Sequence, residues 1–166
     1  MPSYIRNLSI EEIRPTNIDK RDIDLQRLSA ETFVTEWLVS PTDTIHWTKA
    51  IVEENGTLNL NRIYTAEKDS SVIARSTFYI PEERETLITF GYSDCLHLRV
   101  NDVSVYQGNW LWDPPGSDGR IRSNFARVPV RWRAGINTIV AEITNSEPFG
   151  WGLCMKSGLS DMSFIN

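Results

Sequence analysis

Thr86-Leu-Ile-Thr-Phe-Gly-Tyr-Ser-Asp-Cys-Leu-His-Leu-Arg-Val-Asn-Asp-Val-Ser-Val-Tyr-Gln-Gly-Asn-Trp-Leu-Trp112 is the stretch on which the fold turns, and it reads as three successive β-strands. The first, Leu87 to Tyr92, passes through a Gly-Tyr-Ser-Asp corner into Cys95 to Val100. Asn101-Asp102 then turns the chain back into Val103 to Tyr106, because Asn and Asp tolerate the positive φ values of a two-residue hairpin turn. With only those two residues in the turn, Val100 faces Val103, Leu98 faces Val105 and His97 faces Tyr106. Leu96, Leu98, Val100, Val103 and Val105 then share one face, since side chains alternate along a strand.

The flanking sequence repeats this grammar. Ser71 to Ile80 places Val72, Ala74, Ser76, Phe78 and Ile80 on one face; Phe125 to Trp132 turns Val128, Val130 and Trp132 inward; Asn137 to Thr144 does the same with Ile139, Ala141 and Ile143. Thr32 to Val39 reads as a strand ended by Ser40-Pro-Thr-Asp43, Leu58 to Tyr64 as a strand after the Asn55-Gly56 turn, and Phe149 to Met155 as the last strong strand. The stretch from Ile45 to Glu53 fits a strand or one to two helical turns. Residues 1–30 read as an initial strand and a long surface connection, with a short helix near Leu25 to Glu31. Asp113-Pro-Pro-Gly-Ser-Asp-Gly119 reads as a loop. Many short strands between Gly, Pro and Asn turns, with no long amphipathic helix, indicate one all-β domain over residues 1–166: a jelly-roll β-sandwich of two antiparallel sheets with little helix.

At 166 residues the chain suits one domain with a full core, and 40% apolar with 23% charged residues is an ordinary globular composition. A net charge of -5 argues against non-specific nucleic-acid binding, which needs a basic surface. No apolar run resembles a signal peptide or a membrane span, so no membrane partner is expected and the expected setting is cytoplasmic, with an excised domain of an exported protein as the alternative. In that setting Asn7-Leu-Ser and Asn55-Gly-Thr are chance matches to the glycosylation pattern. Two cysteines, Cys95 and Cys154, are too few for a disulfide framework.

Phe90-Gly-Tyr-Ser-Asp94, Leu98-Arg-Val-Asn-Asp-Val-Ser-Val-Tyr-Gln-Gly108, Arg133-Ala-Gly-Ile-Asn-Thr-Ile139 and Gly150-Trp-Gly152, in that order and spacing, resemble galactose-binding-domain-like jelly-roll modules, a group of carbohydrate-binding-module-like accessory domains. The resemblance is clearest over residues 71–156. It implies a sandwich of two antiparallel sheets, a non-catalytic role beside hydrolases or other enzymes, sugar binding through loops or a sheet face, and in some relatives a structural calcium ion. This chain departs from that pattern in having no calcium-loop sequence, and no other cofactor is expected.

Chemistry-bearing residues gather just past the hairpin. Trp110 or Trp112 offers a flat face for the C–H groups of a sugar ring, and Asn109, Asp113 and Asp118 offer partners for hydroxyls. The alternative is that the two indoles cover the open end of the core. Trp151, between glycines, poses the same choice, and its place on one face with Phe149, Leu153 and Met155 favours packing. Arg120, Arg122, Arg127, Arg131 and Arg133 either grip an anionic ligand or pair with acids on a solvated face. Glu11-Glu12, Glu53-Glu54 and Glu82-Glu83 point to opposite strand faces, so no pair forms a glycosidase dyad. A metal site would need Cys95, His97 and Cys154 to converge, and ordinary buried thiols are the simpler expectation. No nucleophile elbow, phosphate loop or dinucleotide fingerprint is present. No residue is therefore assigned a catalytic role. The expected function is binding of a carbohydrate or similar polar ligand; the alternatives are packing against a neighbouring domain or a second copy, and a glycan-acting hydrolase.

Overall fold

A computed structural model describes residues 25–113, 115–147 and 150–166; the initial strand expected within the first 24 residues lies outside them. Residues 25–30 are helical, as the short helix near Leu25 anticipates. Among the described residues thirteen strands follow: β1 (Glu36–Pro41), β2 (Thr48–Ile51), β3 (Thr57–Asn59), β4 (Ser71–Ile80), β5 (Arg84–Ser93), β6 (Cys95–Val100), β7 (Val103–Asn109), β8 (Trp112–Asp113), β9 (Ser117–Asp118), β10 (Ala126–Trp132), β11 (Gly135–Thr144), β12 (Gly152–Lys156) and β13 (Ser163–Phe164). They form an all-β sandwich. One sheet runs β2-β1-β4-β11-β6-β7, with β13 also on β4, and the other runs β10-β5-β12-β3. Every pairing is antiparallel. No helix among the described residues is long and apolar enough to cross a membrane.

Period-two alternation builds the core from both sheets. Val72, Ala74, Phe78 and Ile80 of β4, with Ile139, Ala141 and Ile143 of β11, face Ile88, Phe90 and Tyr92 of β5 and Leu153 and Met155 of β12, all of them buried. Each such large apolar side chain contributes roughly 1.5–3 kcal/mol on leaving water. Trp132 closes one end, its indole N–H donating to Thr86 Oγ1 at 2.7 Å. Pro129 sits on β10, an outermost strand, where a missing N–H blunts the edge against further pairing.

The central hairpin departs from the simple register in an informative way. Asn101 and Asp102 both take positive φ, 48° and 67°, and Val100 pairs with Val103 as expected. A β-bulge then shifts the register between Leu98 and Arg99, so that Leu98 faces Tyr106 rather than Val105, and His97 faces Gln107 rather than Tyr106. The extra residue turns Tyr106 inward, its ring centroid 4.9 Å from that of Phe90 and its hydroxyl 2.7 Å from that of Tyr92. Burial of an aromatic ring outweighs regular pairing on this edge strand. Val103, expected on the buried face, lies at the outer corner and is 62% exposed.

Other boundaries move for local reasons. The strand expected from Thr32 begins at Glu36, because residues 32–34 bond to the other sheet: Val34 N–H donates to Met155 O and Ser157 N–H to Thr32 O. It runs on through Pro41. The open stretch 45–53 contains β2, with Ala50 inward. The strand expected over Leu58 to Tyr64 stops at Asn59, whose side-chain oxygen accepts from Asn61 N–H at 3.1 Å and starts a 3-10 turn, Leu60–Arg62. The stretch expected as a loop at 113–119 carries the small ladder of β8 and β9, and β13 adds a strand the sequence pattern did not suggest.

Candidate functional site

The two ends of the segment from Trp110 to Arg122 are held by contacts with Asp94, Phe125 and Gly91. Asp94 stands at the corner where the chain passes from β5 to β6, wholly buried. Its Oδ2 accepts from Ser146 N–H at 2.6 Å and Glu147 N–H at 2.7 Å, and its Oδ1 accepts from Ser93 Oγ at 2.5 Å. Its backbone carbonyl accepts from Trp110 N–H at 2.7 Å. One buried carboxylate thus fixes the loop after β11 while its backbone fixes the start of the Trp110 segment. Sequence reading placed Asp94 in a corner without seeing this role, which depends on residues some fifty positions away.

Trp110 is half-buried against Phe125, ring centroids 4.2 Å apart, and its indole N–H donates to Arg120 O at 3.0 Å. The indole therefore ties the two limbs of the segment together. Glycines permit the close seating. A Cβ at Gly91 would lie 1.7 Å from the carbonyl oxygen of Arg122, and one at Gly108 would lie 2.6 Å from the Tyr106 hydroxyl and 2.8 Å from that of Tyr92. Burial, then the bond to Tyr106, pushes the Tyr92 phenol well above the ordinary tyrosine range.

The returning limb, Gly119 to Ile121, forms one wall of an open groove of about 610 Å³. The other wall is the outer strand β3 and its turns, contributing Glu53, Asn55, Thr57, Asn59 and Asn61. The asparagines are oriented by backbone donors: Asn55 Oδ1 accepts from Thr57 N–H at 3.0 Å and Asn61 Oδ1 from Trp151 N–H at 2.8 Å. Neither Nδ2 group makes a hydrogen bond among the described residues. Glu53 Oε2 accepts from Asn59 Nδ2 at 3.2 Å and meets the Arg62 guanidinium. The groove thus presents fixed amide donors, a carboxylate acceptor and the Arg120 position. The outward polar residues 59 and 61, alternating with the buried Leu58 and Leu60, are the signal in the sequence that points here.

Of the five residues expected to bind ligand, Trp110 packs and bonds as described, and Asn109 is exposed at the end of β7, opposite Cys95. Trp112 and Asp113 fall in β8, and Asp118 in β9, paired with Trp112. Trp151 is buried, donating its indole N–H to Ile143 O at 3.2 Å, which is the packing role its strand face predicts. Arg131 pairs with Glu83 at 3.0 Å, and Arg133 Nε donates to Ile136 O at 3.0 Å. Cys95 and Cys154 lie on opposite sheets, and His97 Nε2 sits 2.9 Å from Ser104 Oγ. Burial pushes the Cys154 thiol up to about 11. Among the described residues no group of three or more His, Cys, Asp or Glu side chains converges, so the carboxylate cluster a structural calcium ion prefers is not assembled from them.

No family model matches the chain, and no curated protein matches it. Solved structures do. A β-glucosidase from Kluyveromyces marxianus matches at TM-score 0.51 and 10% identity, over 76% of this chain and 18% of that one. An anti-sigma factor domain-containing protein from Clostridium clariflavum matches at 0.46 and 12%, over 80% and 44%, and the GH31 α-xylosidase of Xanthomonas citri at 0.41 and 14%, over 75% and 14%. This chain therefore spans less than half the length of each. The first likeness bears on the fold alone, and agrees with the sandwich that the galactose-binding-domain-like resemblance implies.

Proposed function

We propose that this chain is a non-catalytic module that binds a carbohydrate or similar polar ligand in the groove between β3 and the limb Gly119 to Ile121, with the hairpin carrying Trp112, Asp113 and Asp118 at its approach. The observation that supports this most is the set of asparagine amides held in fixed orientation by backbone N–H groups beside Glu53. A sugar hydroxyl donates one bond and accepts others, so it is recognised by donors and acceptors alternating on a rigid wall. The fold's occurrence within a β-glucosidase chain suits an accessory role without specifying it. Titration calorimetry against a panel of neutral glycans tests the proposal. Binding weakened about tenfold by Glu53→Gln or Trp112→Ala is expected, the loss of one good charge-assisted or stacking contact. No heat with any glycan, or unchanged binding in both Glu53→Gln and Trp112→Ala, refutes it.

A second reading, packing against a neighbouring domain or a second copy, is favoured by one feature of the larger sheet. Tyr79 and Ile136, cross-strand partners, are 46% and 52% exposed, and Ile165 lies beside them at 48%. A strict monomer in light scattering at high concentration argues against self-association through this patch.

A further inference from the structure

The outer face of the larger sheet holds a second concavity, of about 480 Å³, at the end where the Asn101-Asp102 turn and the turn before β11 lie. Its floor includes Thr77, Thr138 and Val140, and its walls include Arg75 and Arg133. Arg75 stands mid-strand between Leu38 and Val140, its guanidinium carbon 4.3 Å from the centroid of the Trp47 ring. Arg133 Nε donates to Ile136 O at 3.0 Å, and its backbone N–H donates to Asn137 Oδ1 at 3.1 Å. Arg99, across Val140 from Arg75, adds a third cation to the same face. Among the described residues none of these three has a carboxylate within ion-pair distance, whereas Arg27, Arg62, Arg84 and Arg131 each do.

Both wall arginines are therefore held without being neutralised. A guanidinium stacked on an indole keeps its in-plane N–H groups available, and one anchored through Nε keeps both terminal nitrogens. Orientation without neutralisation is the arrangement that favours an incoming planar or tetrahedral oxyanion, because the ordering cost is met before the ligand arrives. The same outer face also carries Glu142, opposite His97, and Glu36, which meets Lys49 at 3.7 Å. The single carboxylate among the lining side chains is Asp102, exposed on the hairpin turn.

We propose that this concavity is a second ligand site, distinct from the β3 groove, for a sugar-sized molecule carrying an oxyanion, a carboxylate or a phosphate, gripped by Arg75 and Arg133. It stands independently of the groove reading. The test is titration of the protein, followed by amide chemical shifts and calorimetry, with D-glucuronate, glucose 6-phosphate, glucose and inorganic phosphate as separate arms. Glucuronate or glucose 6-phosphate, whichever binds, identifies the anion. Its affinity should fall about tenfold in Arg75→Gln and in Arg133→Gln, the loss of one charge-assisted pair. It should rise severalfold in Asp102→Asn, which keeps a residue that tolerates the turn, and stay unchanged in Arg127→Gln, exposed on the other sheet. It should also weaken with added salt. Retained thermal melting in the variants keeps loss of binding distinct from loss of fold. The proposal is overturned if neither acidic sugar binds, if glucose or inorganic phosphate binds as tightly, or if a folded Arg75→Gln and a folded Arg133→Gln bind as the parent does.

Discussion

Replacing Asp94 by alanine removes the acceptor on which one corner of the sandwich depends. The carboxylate is fully buried and receives two backbone N–H bonds, from Ser146 and Glu147, and one from the Ser93 hydroxyl. Bonds to an ionised acceptor are worth roughly 1.5–3 kcal/mol each, and removing the acceptor strands two backbone donors. Against this, the variant no longer holds a charge in the interior, so the three bonds do not sum. The net cost expected is about 3–5 kcal/mol, and Asp94→Asn, which keeps one acceptor oxygen, should cost about half of that. Urea unfolding reads it directly: with a slope of about 2 kcal/mol/M, the alanine midpoint falls on the order of 2 M with the slope unchanged. Hydrogen exchange at Ser146, Glu147 and Trp110 should accelerate before that of β4 or β11. A midpoint within 0.2 M of the parent, roughly 0.4 kcal/mol at that slope, would mean that the corner is held by other contacts and would refute the reasoning.

Three further outcomes follow from the same geometry. The Cys154 thiol, raised by burial from 9.0 to about 11, binds its proton more tightly folded than unfolded. Its stability contribution is complete below pH 9 and is lost as pH rises through 11, up to about 2–3 kcal/mol. Tyr92, also raised by burial, acts in the same direction, so urea midpoints at pH 8, 9.5 and 10.5 should fall in order, and less steeply in Cys154→Ala. Gly108→Ala drives a methyl group into the Tyr92–Tyr106 hydroxyl pair and should cost about 1–3 kcal/mol in the same assay, more than Tyr106→Phe. Arg131→Ala, which breaks an exposed pair with Glu83, should move the midpoint by no more than about 0.5 kcal/mol, since such pairs are weak.

What sequence reading recovered and what it missed divide along a physical line. β4, Ser71–Ile80, was legible to the residue because its inward face alternates strictly and both ends carry turn residues. The Asn101-Asp102 turn was legible because its backbone demands residues that tolerate positive φ. The bulge after it was not, because it answers to the burial of Tyr106 against β5, a contact between strands that local alternation does not encode. The same holds for the groove. Asn59 and Asn61 stood in plain alternation with Leu58 and Leu60, but only the pairing of β3 with β12 brings them opposite the Gly119 to Ile121 limb. Trp110 was singled out for its chemistry, and its indole turns out to hold Arg120 in place through a bond that no spacing rule anticipates.

Amide chemical shifts under titration with neutral glycans test most directly whether the β3 groove receives a polar ligand. At least one glycan should shift Asn55, Thr57, Asn61 and Gly119 to Ile121 together, in a saturable way. Shifts confined elsewhere in the sandwich, or none with any glycan at millimolar concentration, would contradict it.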